Sequence, residues 1–301
     1  MFAVPALEGL LQEDYSVVAI YTRPDKPSGR GQRLIPTPVK KLAIEHNIPT
    51  IQPDTLKSEK AASVLEELKP DLLVVAAYGC ILPKTVLSLP VHGCINVHPS
   101  LLSSYRGASP VASALLGGEQ VSGVTIMLMD EGMDSGPILA QQKVDISADD
   151  TTGSLTDKLA FIGAELLLKT LPKWLSGEIK PQIQDNSHAT YSHIIKVDDG
   201  KIDWHMEAME IWQRIKAYYP WPGAFTWWRG KRLKIYSGTP LNIKSNEQPG
   251  EVVSLYNGKA IGVVTAGGCL ELYRLQLEGK QELTAVEFAR GQREFSGSVL
   301  G

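Results

Sequence analysis

Two polar side chains, Asn96 and His98, lie two residues apart around the apolar run Cys94–Val97. Side chains with this spacing on a strand point to the same face. We expect the pair at the carboxyl end of a buried strand, where open α/β sheets place their active sites. An amide donor beside an imidazole suits the stabilisation of an oxyanion together with proton transfer. A pair of hydrogen-bonded polar residues at a strand edge is the ordinary alternative, and spacing alone does not decide between them.

An acidic loop follows the next apolar run, Val124–Met129, and holds Asp130, Glu131 and Asp134. A carboxylate near an imidazole would orient it and raise its pKa. Asp134 is the best candidate, because the glycines on both sides of it allow the loop to approach the sheet closely. Metal binding is the rival hypothesis, although His98 is the only other nearby ligand type. A solvated turn is the ordinary alternative, above all for Asp130 or Glu131.

Two basic stretches are candidates for binding a polyanion. The loop after Val17–Thr22 is too rich in proline and glycine for a helix or strand, and a basic loop at the rim of a site suits a polyanionic substrate. The second stretch sets basic residues beside Trp227 and Trp228, which suits contact with a nucleic-acid backbone. A solvated loop and a hairpin with buried tryptophans are the alternatives. The basic residues are Arg23, Lys26, Arg30 and Arg33 in the loop with Lys40 just beyond it, and Arg229, Lys231, Arg232 and Lys234 in the second stretch.

The elements that position these residues alternate in type along the first part of the chain. Short apolar runs between amphipathic helical patterns predict βαβ units and a mostly parallel, doubly wound sheet over residues 1–177. The predicted strands are Val17–Thr22, Leu72–Ala77, Cys94–Val97 and Val124–Met129, and the predicted helices are Val39–His46, Ser58–Leu68, Pro110–Leu116 and Ser154–Leu175.

The second part of the chain has a different pattern. Residues 178–195 are polar and show neither the helical nor the strand periodicity of apolar residues, which predicts a linker. Residues 196–301 begin with a helical pattern, Met206–Ala217, and continue with short strands at close spacing. Strands of this kind, separated by turns with glycine, predict a small OB-like β-barrel.

The composition of the 301-residue chain excludes several classes of protein. A net charge of −3 argues against coating nucleic acid by bulk electrostatics. Its three cysteines lie far apart, which favours a reduced compartment over a disulfide framework or a zinc site. No apolar run reaches the roughly 18–20 residues of a membrane span, and no Gly-x-Gly-x-x-Gly or Walker A loop occurs. We therefore expect a cytoplasmic monomer with no membrane partner.

Taken together, these stretches resemble the methionyl-tRNA formyltransferases within the 10-formyltetrahydrofolate-dependent formyltransferase family. The resemblance covers nearly the whole chain in the family's order, so it is specific. The matching segments are Tyr21–Pro27 with Gly29–Gly31, Ala77–Pro83, Asn96–Leu102, Tyr105–Pro110, Gly123–Met127, Gly132–Gly136 and Pro220–Pro222.

The resemblance implies a formyltransferase fold followed by a tRNA-binding OB-like domain. The donor would be 10-formyltetrahydrofolate and the acceptor the α-amino group of methionyl initiator tRNA, with no metal. Asn96 and His98 would donate hydrogen bonds to the formyl oxygen, while Asp134 holds His98 and assists proton transfer. Arg30 would read the tRNA acceptor. The residues expected to contact folate are Ser100, Leu101, Leu102 and Ser103, with Tyr78, Gly79, Ile81, Leu82 and Pro83 lining the pterin side.

The sequence departs from the family's pattern in two places. The family's first strand and Gly-Thr-Pro turn, which precede the position of Phe2, are absent, so we expect a sheet without that strand. Ser103 stands where the pattern usually has proline.

Other members of the fold act on glycinamide ribonucleotide or amino-sugar nucleotides, or hydrolyse formylfolate, and would share the three catalytic residues. The basic loop and the second domain favour tRNA among these acceptors. A non-catalytic RNA-binding protein that kept the fold is the alternative of a different class, and the intact Asn96, His98 and Asp134 argue against it.

Overall fold

The computed structural model describes residues 2–28, 33–243 and 245–301, and the chain divides into two compact units. The first unit comprises the residues up to Pro110 together with Val121–Ile146 and Leu155–His193. The second comprises Val111–Gln120, Ser147–Ser154 and Ile194–Gly301.

Helices and strands alternate through most of the described chain. The helices are α1 (Val4–Gln12), α2 (Pro38–Glu45), α3 (Glu59–Glu67), α4 (Lys84–Leu87), α5 (Pro110–Leu116), α6 (Thr152–Leu175), α7 (Ala208–Ala217) and α8 (Ala285–Gly291). The strands up to the end of the first unit are β1 (Ile20–Tyr21), β2 (Lys26–Ser28), β3 (Arg33–Ile35), β4 (Thr50–Ile51), β5 (Leu73–Val75), β6 (Cys94–His98), β7 (Arg106–Gly107), β8 (Val121–Leu128), β9 (Ile138–Asp145) and β10 (Tyr191–Ser192).

Local sequence signals explain where α2 and α3 begin. The Thr37 hydroxyl accepts a hydrogen bond from the backbone N–H of Lys40, and proline occupies the first position of α2. The Ser58 hydroxyl caps α3 in the same way, accepting from the N–H of Ala61. Such caps satisfy backbone donors that have no partner within the helix.

The main sheet of the first unit has the strand order β5-β6-β8-β9. The β5 and β6 strands are parallel, with Val75 opposite Asn96, whereas β6–β8 and β8–β9 are antiparallel. The prediction of a mostly parallel sheet is therefore wrong here, and the sheet is mixed. The predicted strand β8 runs antiparallel to β6, and residues 129–137 join it to the unpredicted strand β9 without the crossover helix that a parallel pair requires.

The strand that carries the predicted catalytic pair lies at the centre of the first unit. All five residues of β6 are buried. Helix α6 packs against it through Gly163, where an added Cβ would lie 2.9 Å from Val97 Cγ1. Glycine thus allows the close contact that fixes β6 between the helix and its neighbouring strands.

A second, two-stranded sheet of the first unit consists of β1 and β4, which are parallel. Within the described residues this pair is not hydrogen-bonded to the main sheet. A cavity of about 610 Å³ is lined by β1, β5 and α1, mainly with apolar side chains such as Leu7, Val18 and Leu73. This cavity borders Arg23 and Tyr78 but does not include the predicted catalytic residues.

The second unit is built on an antiparallel sheet with the strand order β11-β12-β15-β14-β13, and β16 pairs with β15. Its interior is apolar and includes Trp228, Phe288 and Phe295, whose ring centroids lie 4.8–5.6 Å apart in edge-to-face contacts. The strands are β11 (Ala224–Trp228), β12 (Lys231–Leu241), β13 (Val252–Leu255), β14 (Ala260–Thr265), β15 (Gly268–Leu277) and β16 (Glu282–Thr284).

The predicted small OB-like β-barrel is not confirmed. In the part of the chain that the structure describes, β11 and β13 end the row and do not pair with each other. The last residues hydrogen-bond to both ends: Leu300 N to Gly250 O, and Gly301 N to Trp227 O. These last residues form no regular strand, so the sheet is not closed between β11 and β13.

No helix among the described residues combines the length and the apolar character that crossing a bilayer requires.

Candidate active site

Asn96 and His98 lie where the sequence predicts them, in the last three residues of β6. Their side chains share one face of the strand because they are two residues apart. The exposed fraction is 9% for Asn96 and 3% for His98. Two polar side chains this deeply buried require hydrogen-bond partners, and both have them.

The third predicted residue, Asp134, joins them from the loop between β8 and β9. Its Oδ1 accepts a hydrogen bond from Asn96 Nδ2 at 3.3 Å, and its Oδ2 accepts one from the backbone N–H of Gly107 at 2.8 Å. The same Oδ2 lies 3.7 Å from His98 Nδ1. The structure therefore brings together the three side chains that the sequence separates by 38 positions.

The protonation of His98 follows from its surroundings. Its Nε2 lies 3.1 Å from the Tyr105 carbonyl oxygen, and because a carbonyl only accepts, Nε2 carries the hydrogen. Burial lowers the pKa of His98, while the Asp134 carboxylate and the Tyr105 carbonyl oppose that shift. The imidazole is thus neutral at neutral pH, and its Nδ1 lone pair faces a carboxylate oxygen. At 3.7 Å these two atoms are too far apart for a direct hydrogen bond.

The neighbouring acidic residues, Asp130 and Glu131, are engaged with other partners. Asp130 accepts hydrogen bonds from the Ser135 hydroxyl and from the Gly132 N–H, and Glu131 forms an ion pair with Lys84 at 2.9 Å. Among the described residues no group of three or more His, Cys, Asp or Glu side chains is arranged to hold a metal ion.

The segment Ser100–Ser103, predicted to contact folate, follows β6 directly and is fixed by Thr125. The Thr125 hydroxyl donates to the Ser100 carbonyl at 2.7 Å and accepts from the Leu102 N–H at 3.1 Å. Gln141 Nε2 donates to the Leu102 carbonyl at 2.6 Å. Neither Thr125 nor Gln141 was predicted, because each is a single polar residue on a strand. Ser100 and Leu102 are buried, whereas Leu101 and Ser103 are half-buried.

The second predicted folate segment, Tyr78–Pro83, has a buried and an exposed side. Leu82 is buried and Tyr78 packs against the same apolar cluster, where burial raises the pKa of the Tyr78 phenol. Ile81, in contrast, is 73% exposed. Gly79 has a φ of +69°, which favours glycine there.

Arg23 was predicted to bind tRNA, yet its guanidinium contacts this folate segment. Its Nε donates to the Tyr78 carbonyl at 3.1 Å, and its Nη2 donates to the Gly79 carbonyl. Gln52 in turn donates to the Arg23 carbonyl at 2.7 Å and to Asp25 at 2.8 Å. These contacts attach the start of the basic loop to Tyr78 and Gly79.

The rest of the basic loop is only partly described. Arg30 lies outside the described residues, and Arg33 is placed by its backbone in β3, opposite Ser28. Lys26 is exposed. Lys40, just beyond the loop, forms an ion pair with Asp25 at 2.7 Å, and the hydrogen bond from Lys40 lowers the pKa of the Asp25 carboxyl.

The basic stretch of the second unit lies around the β11–β12 turn. Arg229 forms an ion pair with Glu294, and the Arg232 guanidinium lies 3.5 Å from the centre of the Phe225 ring. Lys231 is exposed. Lys234, the last basic residue of the predicted stretch, shares a face of β12 with Arg232, because Leu233 and Ile235 are buried on the other face.

Part of the predicted linker is bonded into the first unit. The β10 strand pairs in parallel with β7, and Thr190 Oγ1 accepts from the Tyr105 N–H at 2.8 Å. Gln184 is buried in this segment and contacts the loop of Asp134. A polar stretch without a period carries no signal from which this packing could be predicted.

Comparisons with known proteins agree on one family. Residues 2–171 match the family model described as "Formyl transferase", and residues 194–293 match its "C-terminal domain" model. Proteins called methionyl-tRNA formyltransferase are similar over the whole length. That of Dehalococcoides mccartyi is 47% identical over 300 residues, covering 100% of this chain and 95% of the relative. That of Chloroflexus aurantiacus is 45% identical over 290 residues, covering 96% and 94%.

Solved structures share the fold at low sequence identity. A sugar 3N-formyl transferase, WlaRD, crystallised with dTDP and 5-N-formyl-THF, superposes with a TM-score of 0.65 at 20% identity over 93% of this chain and 95% of that one. HypX from Aquifex aeolicus in complex with tetrahydrofolic acid gives a TM-score of 0.61 at 20% identity over 92% of this chain. The chain spans 47% of HypX.

Proposed function

Since this chain belongs to the formyl transferase family, we propose that it transfers the formyl group of 10-formyltetrahydrofolate to the α-amino group of methionyl initiator tRNA. The product is N-formylmethionyl-tRNA, which serves translation initiation. The observation that carries the proposal is the convergence of Asn96, His98 and Asp134 at the carboxyl end of β6. Full-length relatives called methionyl-tRNA formyltransferase support the identity of the acceptor.

In the first step Asn96 stabilises the negative charge that develops on the formyl oxygen. The neutral amine attacks the formyl carbon, and negative charge develops on the formyl oxygen. Asn96 has two amide N–H groups and gives one of them to Asp134. The other N–H is the donor for the oxyanion. A donor fixed in advance stabilises developing charge without reorganisation during the reaction.

His98 and Asp134 accept the proton that the amine must lose. The His98 Nδ1 lone pair and Asp134 Oδ2 both face the position of the amine N–H. The proton moves to Nδ1, and the carboxylate stabilises the imidazolium. In the sequence-based prediction His98 donates to the formyl oxygen; because Nε2–H is bonded to the Tyr105 carbonyl, we instead assign His98 the role of base.

The second step breaks the bond between the formyl carbon and folate N10. The electron pair of that bond goes to N10, which takes the proton held by His98, and tetrahydrofolate leaves. The segments Ser100–Ser103 and Tyr78–Pro83 are proposed to hold the folate. Their carbonyls are fixed by Thr125, Gln141 and Arg23, which supports a preformed donor site.

We assign tRNA binding to the basic loop beyond Arg23 and to the β12 residues around the β11–β12 turn. Lys26 and Lys231 are exposed, and Arg232 and Lys234 share one face. Cations beside aromatic rings suit contact with a nucleic-acid backbone and with unstacked bases. An OB-like arrangement of the second unit, the domain bounds at 177 and 195, a monomeric state and a cytoplasmic location remain predictions.

A competition between acceptors tests the proposed function. The purified protein is given 10-formyltetrahydrofolate with methionyl initiator tRNA, a dTDP-amino sugar or water alone, and the formylated products are measured. We expect N-formylmethionyl-tRNA to form at least about 10³-fold faster than either other product, since enzymes discriminate by differential transition-state binding. Faster formylation of the sugar, or release of formate, would overturn the choice of acceptor.

Arg23→Ala is expected to act on the formyl donor. Losing the guanidinium frees the carbonyls of Tyr78 and Gly79, so the KM for 10-formyltetrahydrofolate should rise about 5–30-fold, which corresponds to about 1–2 kcal/mol or roughly one hydrogen bond from a charged donor. Steady-state kinetics in which 10-formyltetrahydrofolate and the tRNA are varied in turn give the KM for each substrate. Lys26→Ala, in the same loop and likewise exposed, is the matched control and should change the tRNA KM instead. A rise confined to the tRNA KM in Arg23→Ala would contradict this assignment.

Arg30→Ala tests the predicted reader of the acceptor. We expect a higher tRNA KM or a lower turnover, at a cost of about 1–3 kcal/mol if the guanidinium contacts the nucleic acid, with an unchanged folate Kd. Initial rates over a range of tRNA concentrations, with folate binding followed by fluorescence, separate the two. If folate binding weakened as much as the use of tRNA, the role assigned to Arg30 would be contradicted.

A further inference from the structure

The side chain of Gln184 is buried against the loop that carries Asp134. Its exposed fraction is 5%. Its Nε2 donates two hydrogen bonds, to the Asp134 carbonyl at 2.8 Å and to the Gly136 carbonyl at 2.7 Å. Both N–H groups of the amide are therefore used to hold the backbone on either side of Ser135.

Arg106 determines which way this amide points. Its Nε and Nη2 donate to Gln184 Oε1 at 3.1 Å and 2.8 Å. Arginine can only donate and carbonyls can only accept, so the oxygen of Gln184 must face Arg106 and its nitrogen the loop. Arg106 is 2% exposed, and Nη2 also donates to Asn186 Oδ1 at 2.9 Å, so the guanidinium is itself fixed.

The same strand also holds the carboxylate of Asp134. Gly107, which follows Arg106 in β7, donates its N–H to Asp134 Oδ2 at 2.8 Å. Asp134 has a φ of +49°, a left-handed conformation that non-glycine residues rarely adopt. The hydrogen bonds from Gln184 to the carbonyls of Asp134 and Gly136 support the backbone in this conformation.

We propose that Gln184, oriented by Arg106, is a positioning residue that fixes the Asp134 carboxylate for proton transfer. This rests on the proposed function, in which Asp134 acts with His98. Gln184 touches no reacting atom in this account, and its whole effect passes through the conformation of the Asp134 loop. The His98 Nδ1 to Asp134 Oδ2 distance of 3.7 Å is the quantity that Gln184 maintains.

Gln184→Glu removes the donor while keeping an acceptor for Arg106, so the buried guanidinium retains a partner. We expect kcat to fall about 10–100-fold, the size of effect that a displacement of about 1 Å causes, with both KM values within about twofold. Gln182→Ala is the matched control, because Gln182 is exposed and bonds to Ile138 through its backbone. It should keep the wild-type kcat. Gln184→Met, which adds no charge, removes both the donor and the acceptor for Arg106, and it is the second variant if the glutamate variant does not fold.

A double-variant cycle distinguishes positioning from a general structural role. If Gln184 acts through Asp134, adding Gln184→Glu to Asp134→Asn should lower kcat by less than about threefold further. The proposal would be overturned if the fall in kcat of the double variant equalled the product of the two single-variant falls. It would also be overturned if both Gln184 variants had the wild-type kcat. A wild-type protein that transfers no formyl group would instead overturn the proposed function, so the two failures are distinguishable.

Discussion

Asn96→Ala is expected to lower the rate of formyl transfer by about 10²–10³-fold, the cost of removing one donor to a developing oxyanion. The substrates should bind as before, because the interaction forms in the transition state and not with the planar formyl group. Single-turnover measurements at saturating folate report the chemical step directly. The variant also removes the Nδ2 hydrogen bond to Asp134, so thermal unfolding is measured alongside.

Asn242→Ala is the control for this prediction, since Asn242 is exposed and lies in the second unit. It should transfer formyl groups at the wild-type rate. An Asn96→Ala protein that is folded and retains more than about a tenth of the wild-type rate would show that another donor serves the oxyanion.

Asp134→Asn should produce the second large effect, both on the rate and on its pH dependence. Transfer requires neutral His98, so the rate falls as the pH drops through the His98 pKa, which burial sets below the ordinary value of 6.5. The Asp134 carboxylate raises that pKa, and removing its charge lowers the pKa further. The acid limb of the profile therefore moves to lower pH. The rate at the plateau of the profile should fall about 10²–10⁴-fold, because His98, the proton acceptor, loses the carboxylate of Asp134.

The measurement is the pH profile of the single-turnover rate for the wild type, Asp134→Asn and Asp130→Asn. Asp130 is a matched control, because it lies four residues earlier in the same loop and bonds only within that loop among the contacts described above. Its profile should coincide with that of the wild type. An acid limb that moves to higher pH in Asp134→Asn would contradict the assignment of His98 as the base.

Strong periodic signals allowed the centre of the first unit to be predicted. The apolar run before His98 is a buried strand, and the polar pair at its end shares one face as expected. The glycine-framed loop brings Asp134 to that pair. Each of these predictions depends on a local pattern together with the rule that side chains alternate along a strand.

Features that depend on tertiary contacts were not predictable in the same way. Strand β9 contains Gln141, Gln142 and Lys143 and lies at the edge of the sheet, so its apolar pattern is weak and the antiparallel pairing was missed. Gln184 lies in a polar stretch, and only the folded chain brings it to Asp134. The contact of Arg23 with Tyr78 likewise joins residues 55 positions apart, for which a single sequence carries no signal.

The central claim is that Asn96, His98 and Asp134 catalyse formyl transfer to methionyl initiator tRNA. Its most direct test is the single-turnover rate with enzyme in excess over that tRNA, compared for the wild type, Asn96→Ala and Asp134→Asn. The wild type is predicted to formylate all of the tRNA, and both variants to be at least about 10²-fold slower while binding the tRNA equally well. Variants that bind equally well and react as fast as the wild type would place the chemistry elsewhere in the molecule.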